Sequence, residues 1–141
     1  MKVLVIDDER EILDIAQVIL RHSGYQPLTA ANGNEGLEMA RREHPDLVLL
    51  DILMPDLSGW EVLKRLKADP GTREIPVMML TALAQDEEIL QGLKAGAVEY
   101  LIKPFDLVSL VSHVDWVLKE STPESREAHR QSLIRKRRLV A

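Results

Sequence analysis

Five short apolar runs, at residues 3–6, 25–29, 47–50, 77–80 and 98–102, alternate with five segments of helical spacing, and this alternation constrains the chain more than any other feature. Runs one, three and four are apolar without polar alternation, the pattern of parallel strands covered on both faces. Ile12, Ile15, Ala16 and Ile19 fall on one helical stripe, with Leu13 and Leu20 at its margins, and Leu37, Met39 and Ala40 make a shorter one. Val62, Leu63 and Leu66 mark a third helix over residues 60–67, and Ile89, Leu90 and Leu93 a fourth over 87–95. The last, residues 107–119, aligns Leu107, Leu110, Val111, Val114, Val117 and Leu118. Breaks stand at Ser23-Gly24, Asp69-Pro70-Gly71 and Gly96. This order predicts an α/β fold, a doubly wound parallel sheet with right-handed crossovers and helices on both faces.

Composition bounds the chemistry. The 141 residues include no cysteine, which excludes disulfides, thiolate metal sites and a Cys nucleophile, and suits a soluble, cytoplasmic protein. The opening apolar run stops at Asp7-Asp8, too short for a signal-peptide core. The longest uncharged stretch, residues 75–85, contains Pro76 and falls short of the ~18 residues of a spanning helix, so no membrane partner is expected. Residues 1–120 carry 12 basic and 21 acidic side chains, whereas residues 121–141 carry 6 and 2. A folded unit over 1–120 with a basic tail, linker or extra helix over 121–141 is the expected division. An acidic body is ill suited to phosphate backbones, which leaves any nucleic-acid contact to the tail.

Ligands of open α/β sheets sit beyond the carboxyl ends of the strands. There the sequence places Asp7-Asp8-Glu9 after the first run, Asp51 after the third, Thr81 after the fourth and Lys103 after the fifth. Taken alone, Asp7, Asp8 and Glu9 could cap the first helix, and Asp51 could form a turn before Pro55. Taken together, clustered carboxylates require a proton or a cation, and all-oxygen ligands suit a hard divalent ion, magnesium first. A carboxylate beside a metal, a lysine and a hydroxyl can attack and hold a phosphoryl group, with Asp51 the best-placed nucleophile. His22, His44, His113 and His129 show no metal-ligand spacing and receive no role.

The stretch Asp51-Ile52-Leu53-Met54-Pro55-Asp56-Leu57-Ser58-Gly59 resembles the D-x-x-M-P-x-x-x-G segment of bacterial two-component response-regulator receiver domains, the chemotaxis regulators among them. Asp7-Asp8 upstream, Thr81-Ala82 and Tyr100-Leu101-Ile102-Lys103-Pro104-Phe105 downstream extend the resemblance over residues 2–119. It implies a flavodoxin-like sheet in the order 2-1-3-4-5 and a sensor histidine kinase or phosphotransfer protein as phosphoryl donor. Carried over residue by residue, Asp51 is the phosphoacceptor. Asp8 binds Mg2+ directly, Asp7 binds it through water, and Asp51 and the Leu53 backbone carbonyl complete the set. Lys103 pairs with the phosphoryl oxygens, its bond to Pro104 being cis, while Thr81 and Tyr100 form the switch. Such a protein catalyses only its own phosphorylation and dephosphorylation.

Departures from the family pattern carry their own expectations. Leu53 and Leu83 stand where the family modulates water access, and both are apolar, which predicts slow self-dephosphorylation. The fifth helix lacks the arginine that winged-helix members use in paired dimers, although a homodimer of another kind stays open. Trp116 is expected opposite the apolar face of that helix, either as an output contact or covered by the tail. Thr122 followed by Pro123 predicts a helix running toward Arg138. That tail is open to four readings: a solvated extension, a docking helix, a nucleic-acid arm or the start of an output domain.

Two other function classes share parts of this pattern. A haloacid-dehalogenase-like phosphohydrolase also uses Asp, Thr and Lys with magnesium, but its nucleophile follows the first strand in a D-x-D pattern, where this chain has Asp7-Asp8-Glu9. A flavodoxin-like nucleotide binder needs a Ser/Thr/Gly-rich phosphate loop at the same place, where acidic residues stand instead.

Overall fold

A computed structural model of the protein describes residues 1–82 and 85–140, with side chains to residue 137. Leu83, expected to govern water access, lies outside the described residues. Five parallel strands, β1 (Lys2–Ile6), β2 (Gln26–Ala30), β3 (Leu47–Asp51), β4 (Val77–Thr81) and β5 (Glu99–Ile102), form one sheet in the order β2-β1-β3-β4-β5. Between and after them run α1 (Arg10–His22), α2 (Gly33–Glu43), α3 (Gly59–Ala68), α4 (Asp86–Lys94) and α5 (Leu107–Asp115). A π-helical turn, Trp116–Glu120, leads on to α6 (Pro123–Val140).

The strand pleat explains the apolar runs. Leu4, Ile6, Val48, Leu50 and Met79 face a core closed by α2, α3 and α4, while Val3, Val5, Leu49, Met78 and Leu80 face one closed by α1 and α5. Every residue of β3 and β4 is buried, as strands covered on both faces require. Helix starts are capped locally: Asn32, Ser58 and Asp106 accept hydrogen bonds from the backbone N–H groups of Glu35, Glu61 and Ser109. Gly24 and Gly96, at φ 88° and 118°, take the left-handed turns that end α1 and α4.

The structure corrects the sequence reading in three places. β2 begins at Gln26, because the Tyr25 N–H still bonds to Leu20 at the end of α1 and its buried hydroxyl bonds to Asp115. The inner stripe of α1 is Leu13, Ala16, Ile19 and Leu20; Ile15, two residues from Leu13 and so on another side of the helix, is 49% exposed. Leu107, in the first turn of α5, is likewise exposed. Trp116 is covered by the tail, one of the two expectations for it: its ring is half-buried against His129, with ring centroids 4.7 Å apart, and the π turn that follows is closed by Ser121 N–H to Trp116 C=O at 2.8 Å.

The tail forms a docked helix. Thr122 and Ser125 cap its start reciprocally, each backbone N–H donating to the other's hydroxyl. Ile134 is 5% exposed within the core beneath α4, and the Arg130 guanidinium donates to the Leu93 carbonyl. His129 Nε2 lies 2.7 Å from Glu99 Oε2 on β5. Arg137 lies over the Tyr100 ring, 4.5 Å from its centroid, donates to its hydroxyl and stands 3.8 Å from Asp86. Among the described residues no helix is long and apolar enough to cross a membrane.

Candidate functional site

Parallel pairing of β1 with β3, and of β3 with β4, brings the carboxyl ends of the three strands to one edge. Asp7 follows β1 and is fully buried; Asp51 ends β3 at 3% exposure; Thr81 ends β4 at 4%. Asp8 is exposed at the rim. Lys103 follows β5, its N–H bonded to the Thr81 carbonyl at 2.8 Å, and its peptide bond to Pro104 is cis. Its ammonium stands 2.6 Å from Asp7 Oδ2, 3.3 Å from Glu9 Oε1 and 3.5 Å from Asp51 Oδ2.

The alternative of a simple helix cap is not what these acids do. Glu9 occupies the cap position of α1 but makes no side-chain cap bond, and Asp7 Oδ1 accepts from the Glu9 N–H at 2.9 Å. The Leu53 N–H holds Asp51 Oδ1 at 3.2 Å. Burial and the neighbouring Asp7 charge push the Asp51 carboxyl up to about 7, against the opposing pull of Lys103, and a hydrogen bond with Asp8 adds to the rise. Burial alone would lower the Lys103 ammonium, but its short contact with Asp7 and the charges of Asp51 and Glu9 raise it instead.

Asp7, Asp8 and Asp51 can each offer one oxygen, all within 4.8 Å of one another. The Lys103 approach to Asp7 Oδ2 lies outside hydrogen-bond geometry, so this buried oxygen has no aligned donor. An all-oxygen set of three neighbouring carboxylates, faced by a single lysine, fits a small hard cation. The structure thus gathers Asp7, Asp8, Asp51 and Lys103, with Thr81 one residue beyond Leu80, the register partner of Asp51, and Leu53 bonded to Asp51. Tyr100 is not in this group: it pairs with Met79 along β5, two residues before the Thr81 partner Ile102, and meets α6. Glu9, read from sequence only as a cap, joins as a third anion on Lys103.

The loop from Asp51 to Gly59 has its own packing logic. Met54 is buried and Leu53 is 50% exposed, so the loop turns one side chain into the core and leaves the other at the mouth. A Cβ on Gly59 would press into the Asp51 carbonyl oxygen and lie 2.5 Å from Ile52 Cα, because α3 starts directly against the backbone that carries Asp51. Gly59→Ala is therefore expected to destabilise the fold by about 1–3 kcal/mol through overpacking, seen as a lower urea midpoint. An unchanged midpoint would contradict this close approach.

Comparison with known proteins identifies the family of this fold. The family model for the response regulator receiver domain matches residues 3–115. The DNA-binding dual master transcriptional regulator RpaA of Synechocystis is 38% identical over 120 residues, covering 85% of this chain and 50% of that protein. The phosphate regulon transcriptional regulatory protein PhoB of Escherichia coli is 36% identical over 122 residues, covering 86% and 53%. The chain thus spans about half the length of these curated relatives. Among solved structures, the chemotaxis protein CheY4 of Vibrio cholerae superposes with a TM-score of 0.79 at 32% identity, over 83% of this chain and 98% of that one. The N-terminal domain of a receiver protein from Methanoculleus marisnigri gives 0.69 at 41% identity, over 85% and 98%. None of these relatives is described as a phosphohydrolase, and the haloacid-dehalogenase alternative gains no support. With the sheet order, the acidic strand ends and these matches in agreement, the chain belongs to the response regulator receiver family.

Proposed function

We propose that this receiver accepts a phosphoryl group on Asp51 from the phosphohistidine of a sensor histidine kinase or a phosphotransfer protein. It turns over no external substrate and catalyses only its own phosphorylation and dephosphorylation. The observation that carries the reading is the buried Asp51 carboxylate, with Lys103 at 3.5 Å and two further carboxylates within 4.8 Å. One Asp51 oxygen bonds to phosphorus as the phosphorus–nitrogen bond breaks and the imidazole leaves, giving an acyl phosphate. Lys103 holds its ammonium where the phosphoryl oxygens gather charge, and the Thr81 hydroxyl donates to one of them. Asp8 would hold a magnesium ion directly and Asp7 would hold it through water, with Asp51 and the Leu53 carbonyl completing the protein's share. Bound there, the ion supplies charge neutralisation on the phosphoryl oxygens.

The new group adds about −1.5 to −2 charges where one carboxylate stood. Thr81 is drawn toward it, Tyr100 turns into the space released, and one of two packings of α4, β5 and α5 is favoured. This face serves as the output surface. A homodimer through it would have to displace α6. Of the tail cations with described side chains, Arg135 and Lys136 face outward while Arg126, Arg130 and Arg137 are engaged, so a nucleic-acid arm would draw on Arg135 and Lys136 first.

Incubation with Mg2+ and acetyl phosphate should add the mass of one labile phosphoryl group. The same gain in Asp51→Asn would refute the acceptor assignment. Leu53, exposed and apolar at the mouth, offers no group to orient an attacking water. Leu53→Asn is expected to shorten the half-life of the phosphorylated protein about three- to ten-fold. A wild-type half-life no longer than the variant's would overturn the expectation of slow hydrolysis.

A further inference from the structure

The Asp51 site and α6 are connected through α4. Thr81 ends β4, and α4 begins at Asp86, whose carboxylate is 3.8 Å from Arg137 of α6. A small void beneath α4 is lined by Ile52, Trp60, Met79, Thr81, Glu88 and Ile89. Glu88 Oε2 is buried with no hydrogen-bond partner. Three buried side-chain polar atoms lack such a partner among the described residues: Asp7 Oδ2 in the site, Glu88 Oε2 on α4 and Arg137 Nε on α6. Asp7 Oδ2 is met by the Lys103 ammonium at 2.6 Å and Arg137 Nε by Asp86 at 3.8 Å, so among the described residues Glu88 Oε2, beneath α4, is the one of the three without an ionic partner.

The seat of α6 is suited to release. Ile134 is its one buried apolar residue among those with described side chains, Leu133 packs half-buried beside it, and the other contacts are polar or aromatic: His129 with Glu99 and Trp116, Arg130 with Leu93, Arg137 with Tyr100 and Asp86. An element held by few apolar contacts belongs to the part of a fold that opens first. Glu88 borders the void that Thr81 and Ile52 also line, next to Asp51, so a change at the site reaches α4, whose first turn and last turn α6 both grips.

We propose that α6 is a detachable brake on the Asp51 site. Docked across α4 and β5, it holds the packing that disfavours the phosphorylated state, so phosphorylation and undocking promote each other. Reciprocity of linkage fixes the sign: whatever loosens α6 must favour phosphorylation by the factor with which phosphorylation loosens α6. This rests on the assignment of Asp51 as acceptor.

The test uses the full chain with Mg2+ and acetyl phosphate, reading the phosphorylated-to-unphosphorylated ratio by intact mass and the protection of α6 by hydrogen exchange. Phosphorylation of the wild type should speed exchange of the α6 amides about ten-fold. Arg137→Ala should speed it without any phosphoryl donor and raise the ratio about five-fold, with Arg137→Lys between the two. Ile134→Asp, which unseats the helix by a different contact, should act in the same direction. Faster α6 exchange in these variants with an unchanged ratio would overturn the brake and leave the acceptor assignment standing. Absence of any mass gain in the wild type would overturn the acceptor assignment, and the brake with it.

Discussion

Asp51→Asn is expected to abolish phosphoryl uptake and, without magnesium, to make the protein more stable than the wild type at pH 8. The second outcome arises from the crowding of acids. In the folded chain the Asp51 carboxyl is pushed up to about 7, first by burial and then by Asp7, from an ordinary value of 3.8. Between those two values the folded state binds more protons than the unfolded state, so this group's contribution to stability falls as pH rises through the window and is gone above about 7. Asparagine carries no charge to desolvate and leaves Lys103 paired with Asp7 and Glu9. The variant should match the wild type near pH 4 and exceed it at pH 8 by about 2–4 kcal/mol, which is roughly ten degrees in melting temperature for a chain of this size. Magnesium should narrow the gap, because a cation among the three carboxylates removes the repulsion that the substitution relieves. Thermal melts at both pH values, with and without the ion, check this. Equal melting temperatures at pH 8 would show that Asp51 is not under strain from its neighbours.

Lys103→Met should do the opposite. The Lys103 side chain is 7% exposed and answers the fully buried Asp7 at 2.6 Å, with Glu9 and Asp51 close by. Removing one partner of a buried pair leaves an uncompensated charge, a loss of about 3–5 kcal/mol in urea unfolding without magnesium. Because the Lys103 ammonium is raised from its ordinary value, the wild-type contribution is fully present below that value and is lost only as pH climbs past it. The difference between the two proteins should therefore persist across neutral pH. Phosphorylation by acetyl phosphate should slow by about 100- to 1,000-fold, as when a preorganised donor to a developing oxyanion is deleted. A variant that is equally stable and equally fast would remove Lys103 from both roles.

The acidic edge was legible in the sequence because each of its residues comes directly after an apolar run, and parallel strands carry the residues at their carboxyl ends to one edge of the sheet. Asp7, Asp51, Thr81 and Lys103 needed no tertiary information beyond that rule. The inner face of α1 was less so: Ile15 and Leu13 are equally apolar, and only the angle at which α1 meets β1 and α5 decides that Leu13 is inside. The spacing of residues 107–119 does not decide whether Trp116 meets a partner or the tail, because the ring that covers it belongs to α6. The docking of α6 was hidden for another reason. Its contacts with Glu99, Tyr100, Asp86 and Leu93 join residues 30 or more positions apart, and no local pattern marks Arg137 or His129 for them.

The π turn after α5 has a further meaning as a spacer. An ordinary helix closes each loop after four residues, whereas this one bonds Ser121 back to Trp116, five away, and so holds one additional residue before the chain leaves the axis. One residue is about 100° of helical phase, enough to aim the exit at a different neighbour. The bearing on which the tail departs is thus set by length as much as by side chains. Deleting a single residue between 116 and 120 would send an unaltered α6 past a different flank of the sheet.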